Sequence, residues 1–275
     1  MPELPEVETV RKTLVELVVG KTIKEVTVGW PKIIQHPLEY EQFQDALQGQ
    51  TIIDVNRKGK FLIFILDDYA LVSHLRMEGN YRLKNEDDPK DKHTHIIFHF
   101  KDGTELRYRD VRKFGTMHLF TKGTEETVPP LSKLGPEPFS KSFTTNYLKE
   151  KFAKTERIIK AVLLDQTIVT GLGNIYVDEV LHRAEIHPER KAKSLTDQEI
   201  ARLREQAAAT LQESIAVGGS SVNTYMNSHG LTGSYQEQLL VYGRKGEACL
   251  QCGEQIEKIK AAGRGTHFCP NCQKI

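Results

Sequence analysis

The stretch TVPPLSKLGPEPFS, residues 127–140, decides how the rest of the chain is read. It carries Pro129, Pro130, Pro136 and Pro138 around Gly135. Proline at that density removes backbone donors and stops helix and strand alike, so the segment marks a linker, set at residues 131–140. On its N-terminal side lie short β-branched and aromatic runs separated by turn signals such as Asp102-Gly103: TIKEVTVGW, TIIDVNR, KFLIFILDD, ALVSHLRM, THIIFHF, ELRYRDV and GTMHLF. Strands so closely spaced predict an antiparallel sandwich or barrel. One helix precedes them over residues 5–19, with Val7, Val10, Leu14, Leu17 and Val18 on one face.

Beyond the linker the apolar spacing becomes helical. It predicts helices over Tyr147–Leu164, Asn174–Arg183 and Thr196–Val217. The last opens with a capping box, Thr196 with Glu199, and stops at Gly218-Gly219. The tail returns to short strands and turns. At 275 residues the chain exceeds the usual single core, so two domains follow. The expected class is α+β: a β-sandwich with a leading helix over residues 1–130, then a helical domain, then a small C-terminal module.

Composition excludes some functions. Apolar runs such as FLIFIL are too short to span a bilayer, and the acidic N-terminus, which lacks a long apolar stretch, is not expected to be a signal peptide. A cytoplasmic location is the expectation. Net charge is only +1, but basic residues cluster in NRKGK (56–60), RYRDVRK (107–113) and the tail from Val241. Such islands fit either a phosphate-binding face or ordinary solvated surface.

All four cysteines fall in the tail, as Cys249-x-x-Cys252 and Cys269-x-x-Cys272 with 16 residues between the pairs. That spacing fits a four-thiolate zinc ribbon, with two disulfides as the alternative that a reducing cytosol disfavours. Four thiolates close the coordination sphere, so the zinc is expected to be structural, holding the basic loop KIKAAGRGTH.

The ordered set PELPEVETV, RKGKFL, SHLRMEG, YRDVRKFG, LGPEP, LLDQ, GLGNIYVDE, VYGRKGE and GRGTHFCPNCQ resembles the formamidopyrimidine-DNA glycosylase family along the whole chain. The endonuclease VIII branch is similar in architecture but is associated with a PEGPE start. The resemblance implies a helix–two-turn–helix domain over 141–235 and a zinc ribbon over 236–275, with damaged duplex DNA in a cleft between domains and a monomeric protein using no organic cofactor. It implies base-excision repair: a bifunctional glycosylase and abasic-site lyase that removes 8-oxoguanine opposite cytosine and formamidopyrimidines, then cleaves by β,δ-elimination.

Residue by residue, the resemblance makes Pro2 the nucleophile once Met1 is removed. A secondary amine forms an iminium that has no N–H proton to lose and so stays cationic. Glu3 is implied as the acid that opens the sugar ring, with Glu6 and Glu8 left to helix punctuation. Lys60 and Arg264 are implied as phosphate contacts that assist elimination. DNA contacts fall to His74, Met77, His93, Arg112, Phe114, Asn174, Tyr242 and Lys258. Met77, Arg112 and Phe114 fill and wedge the stack, although singly a Met or Phe is more often core, and His74 and His93 fit a structural histidine equally well. Asn223, in GGSSVNTY, stands where the family pattern has a basic residue, which puts lesion preference in question. Three rival readings stay open here: a glycosylase for oxidised pyrimidines, a damage-binding protein without catalysis and, ranked last because it ignores most of the chain, a zinc-ribbon interaction module.

Overall fold

The computed structural model describes residues 1–220 and 233–275. Asn223, Thr224 and Tyr225 lie outside the described residues. The chain divides into two compact units, Met1–Lys133 with the described residues of Gly218–Gly233, and Leu134–Val217 with Ser234–Ile275. The division thus falls within the proline-rich stretch, and the helical segment and the cysteine-bearing tail share one unit.

The first unit begins with α1 (Leu4–Val18). Glu3 and Glu6 form a reciprocal capping box that satisfies two of the helix's orphan N–H groups. Val7, Val10, Leu14 and Val18 are fully buried along one face, each worth roughly 1.5–3 kcal/mol of transfer from water. Two sheets follow. One has the order β1 (Ile23–Val28), β7 (Thr94–Phe100), β8 (Thr104–Arg109), β6 (Asn80–Asn85). The other runs β2 (Ile34–His36), β9 (Thr116–Thr121), β5 (Tyr69–His74), β4 (Phe61–Leu66), β3 (Ile52–Lys58). Pairing is antiparallel except between β2 and β9, which run parallel. One hydrophobic cluster takes side chains from both sheets and from α1, including Val10, Leu14, Val26, Phe64, Tyr81, Phe98 and Leu119.

The sequence reading misses β2, β6 and α2 (Tyr40–Leu47), each short and richly polar. Their apolar residues are too few to show a period, yet Ile34, Tyr81, Phe43 and Leu47 are anchored in the core.

In the second unit the expected single helix over Tyr147–Leu164 is two: α3 (Thr145–Ala153) and α4 (Ile159–Leu164). The break has a local cause. The Thr155 hydroxyl accepts from Arg157 N at 3.1 Å, and Ile158 turns extended to bridge Lys191. A threonine that offers its side chain to the backbone competes with helix continuation. α5 (Asn174–Arg183) and α6 (Asp197–Ala216) appear where the periodicity places them, α6 with the Thr196–Glu199 capping box. A hairpin, β10 (Glu257–Ala261) with β11 (Arg264–Phe268), packs its second strand against α5. Among the described residues no helix is long and apolar enough to cross a membrane.

Candidate active site

Pro2 and Glu3 are buried where the chain enters α1. The Glu6 carboxylate fixes that entry, since Oε2 accepts from Glu3 N at 2.8 Å and Oε1 from Ser220 N at 2.7 Å. Gly219, at φ +82°, presses so closely that a Cβ there would sit 2.8 Å from Glu6 Oε1. Glu6 is therefore more than helix punctuation. It ties the N-terminus to the end of the described segment that follows α6. Lys60 occupies the β3–β4 turn beside Gly59 (φ +57°) and is only 4% exposed. Burial lowers the pKa of the Met1 amino group; Glu3, Glu6 and Glu78 oppose that and Lys60 adds to it. The amine one residue ahead of the buried Pro2 thus interacts with Glu3, Glu6, Lys60 and Glu78. Glu78 went unread although it follows Met77 directly in SHLRMEG.

The loops that carry Met77 and Arg112–Phe114 also meet within this unit. Tyr108 reaches from β8 to lie against Gly79 and Gly115, where a Cβ at either glycine would collide with its hydroxyl. Bare backbone is therefore required at both places, and the Met77 and Phe114 loops close on the same phenol. Met77 and Phe114 are 38% and 52% exposed, far too open for core residues. The Arg112 guanidinium lies 4.8 Å from the Phe114 ring centre, and Lys113, at φ +57°, sets its ammonium 4.0 Å over Trp30. Cation–π contact of this kind orients side chains on an exposed loop.

The device that shapes this loop is Asp110, which is fully buried. Its Oδ1 accepts from Arg112 N at 3.0 Å, and its Oδ2 accepts from Phe114 N at 2.9 Å and Gly115 N at 2.8 Å. In Asp110→Asn either amide orientation points an N–H₂ at a backbone donor. The variant is expected to lose about 2–4 kcal/mol, read as a lower urea midpoint at unchanged slope.

His74 and His93 differ in setting. His93 is half-buried; its N donates to Asp91 Oδ1 and its carbonyl accepts from Asp110 N. His74 is 6% exposed, packs edge-on against Phe61, and accepts from Arg76 N on Nδ1 at 2.9 Å. Burial, with the charges of Arg76 and Lys60, pushes its pKa down from 6.5 to about 3. The unfolded chain binds the proton first, so this histidine's contribution to stability is complete above pH 6.5 and is lost as pH falls towards 3. The slope is at most about 1.4 kcal/mol per pH unit. Urea unfolding at pH 7, 5.5 and 4.5 is expected to show a shallower acid loss in His74→Gln; identical slopes would remove His74 as the cause.

The second unit holds the other candidates. Asn174 opens α5 behind Gly173, and its Nδ2 donates to Gly265 O at 3.0 Å, gripping the hairpin. Asp178, also on α5, accepts from His267 N at 2.8 Å and from Lys160 Nζ at 2.6 Å. Arg264 is exposed at the hairpin turn, beside the left-handed Ala262 and Gly263. Lys258, also exposed, lays its stem over Gly265. Tyr242 is half-buried and edge-on to His267. Its N joins Leu240 N and Val241 N in donating to the Glu179 carboxylate, at 2.8, 2.7 and 3.0 Å. Asp110, Asp178 and Glu179 are buried acids that hold backbone, and no motif marked them as such.

The sulfurs of Cys249, Cys252, Cys269 and Cys272 all lie within 4.8 Å of one another. Cys252–Cys269 is 3.5 Å and Cys249–Cys272 is 4.0 Å, and none is disulfide-bonded. Zinc–sulfur bonds of about 2.3 Å in a tetrahedron put sulfurs about 3.8 Å apart, so the set fits a zinc ion.

Three family models match in chain order: the formamidopyrimidine-DNA glycosylase N-terminal domain over residues 1–117, its H2TH domain over 134–226, and a zinc finger found in FPG and IleRS over 246–275. A formamidopyrimidine-DNA glycosylase of Shouchella clausii is 59% identical over 273 residues, 99% of each chain. Lactococcus lactis Fpg in complex with abasic-site DNA superposes with a TM-score of 0.92 at 45% identity over all of both chains. The same protein with DNA containing N7-benzyl-Fapy-dG gives 0.92 at 46%, again with full coverage. The motifs, the two-unit fold and these matches agree: the chain belongs to the formamidopyrimidine-DNA glycosylase family.

Proposed function

We propose that this chain is a base-excision repair enzyme, a DNA glycosylase and abasic-site lyase that removes 8-oxoguanine paired with cytosine and formamidopyrimidines from duplex DNA. The observation that carries the reading is the burial of Pro2, Glu3 and Lys60 in the same unit as the exposed Met77, Arg112 and Phe114. The printed names of its relatives support it. Its substrate places it with the chromosome in the bacterial cytoplasm.

With Met1 removed, the Pro2 nitrogen attacks C1′ of the damaged nucleotide as the glycosidic bond to the base breaks. Glu3 gives a proton to the ring oxygen, which opens the sugar and leaves an iminium. That cation draws electrons from the C2′–H bond. Loss of the C2′ proton expels the 3′ phosphate, and a second elimination expels the 5′ phosphate. Lys60 and Arg264 hold the phosphates as negative charge moves onto them, Arg264 as a fixed cation. The α5 N-terminus, with Asn174, offers backbone amides to another phosphate. Cys249, Cys252, Cys269 and Cys272 would hold a structural zinc ion that keeps the Arg264 hairpin in shape.

Extruding the base costs a few kcal/mol of stacking and pairing. Phe114 wedges the stack, Met77 fills the void, and Arg112 meets the orphaned cytosine. Phe114→Ala removes an exposed ring, so stability is expected to stay within about 0.5 kcal/mol. Excision from an 8-oxoguanine duplex is expected to fall about 10- to 100-fold, more than cleavage of a ready-made abasic site. Equal losses on both would remove the wedge. Excision of thymine glycol in preference to 8-oxoguanine would overturn the substrate assignment.

A further inference from the structure

We propose that His182 is a positioning residue of the zinc site, donating its Nε2–H to the Cys249 sulfur and restraining the reactivity of that thiolate. His182 lies in the last turn of α5, and its Nε2 is 3.5 Å from Cys249 Sγ. Both residues are 2% exposed, so no solvent competes for the contact. Among the described residues His182 Nδ1 has no hydrogen-bond partner. A neutral imidazole has one N–H, and a buried donor without an acceptor is costly. Placing the proton on Nε2 satisfies that donor at sulfur, whereas placing it on Nδ1 buries it unmet.

A zinc-bound thiolate keeps much of its negative charge and accepts such a bond. The bond withdraws charge from sulfur, which lowers its nucleophilicity, and it fixes the direction from which Cys249 approaches the metal. Outer-shell partners of this kind commonly govern 10–100-fold in metal affinity. The arrangement also links two jobs of α5. The helix begins at Asn174, which grips the Arg264 hairpin, and carries in its last turn the residue that steadies the metal inside the same tail.

The inference rests on the zinc reading, so the first measurement is zinc content of the full-length protein, with one ion per chain expected; a metal-free protein would remove that reading instead. The parent, His182→Phe and His182→Gln are then treated with excess N-ethylmaleimide while released zinc is followed with a chromogenic chelator. The phenylalanine keeps an aromatic ring but lacks the donor; glutamine keeps an N–H. Zinc release is expected to be about 10-fold faster in His182→Phe and to return towards the parent rate in His182→Gln, with zinc affinity in chelator competition weakening 10–100-fold in the former. Release from His182→Phe within twofold of the parent, or equal acceleration in both variants, would overturn the proposal. A measurement on the unmutated chain does not depend on either variant folding. In protein loaded with cadmium-113, a scalar coupling between the metal and the His182 Hε2 proton is expected, and a proton found on Nδ1 would refute it.

Discussion

Protein that keeps Met1 is expected to give no borohydride-trapped adduct with abasic or 8-oxoguanine duplexes, while the form that begins at Pro2 is trapped covalently. With Met1 in place the Pro2 nitrogen is an amide, its lone pair delocalised into the carbonyl, and it cannot attack a sugar carbon. Removing a covalent nucleophile outright has cost a hydrolase on the order of 10⁶ in turnover, and a loss of that order is expected here. Mass spectrometry of the N-terminus identifies the two forms. Glu3→Gln separates the acid from the amine: it is expected to lose about 10²–10⁴-fold in base excision yet still trap on a pre-formed abasic aldehyde, because that reaction needs no glycosidic cleavage. Equal trapping by the methionine-capped protein would end the account of Pro2.

The second large effect concerns the metal. Cys252 is exposed, so Cys252→Ser removes a ligand without opening a cavity. The tail has almost no core of its own: Val241, Cys249, Ile256 and Cys269 are its buried cluster, with Cys272 packed against them. Structural zinc contributes about 10–16 kcal/mol to small modules of this kind, far more than those few side chains supply. The variant is expected to lose bound zinc, to become protease-sensitive after Gly243, and to bind damaged duplex at least about 10²-fold more weakly as Lys258 and Arg264 lose their frame. Unfolding of the N-terminal unit, where α1 and the two sheets have their own cluster, is expected to be unchanged. Full zinc content with full DNA affinity would show that the ribbon does not depend on a fourth thiolate.

Local signals carried much of this. The cysteine spacing needs only two tight knuckles, the Thr196–Glu199 box needs one turn, and Pro2 and Glu3 are adjacent in the chain. Tyr147–Leu164 misled because its apolar residues keep a helical period through a break that Thr155 makes with its own side chain. β6 and α2 stayed hidden because one or two anchors, Tyr81 or Phe43 with Leu47, set no period.

By itself, then, the sequence determined the order of modules, the zinc ligands and the adjacency of amine and acid, all of which depend on spacings of a few residues. Only the tertiary structure decided that Glu6 ties Glu3 to Ser220, that Asp110 draws Arg112, Phe114 and Gly115 into one loop, and that Tyr108 seats Gly79 beside Gly115. The first two depend on where buried carboxylates find backbone donors, the third on where a buried phenol finds bare backbone. A carboxylate withdrawn from water must be met by such donors, and which ones it meets is settled by the packing of the whole domain rather than by its neighbours in the chain.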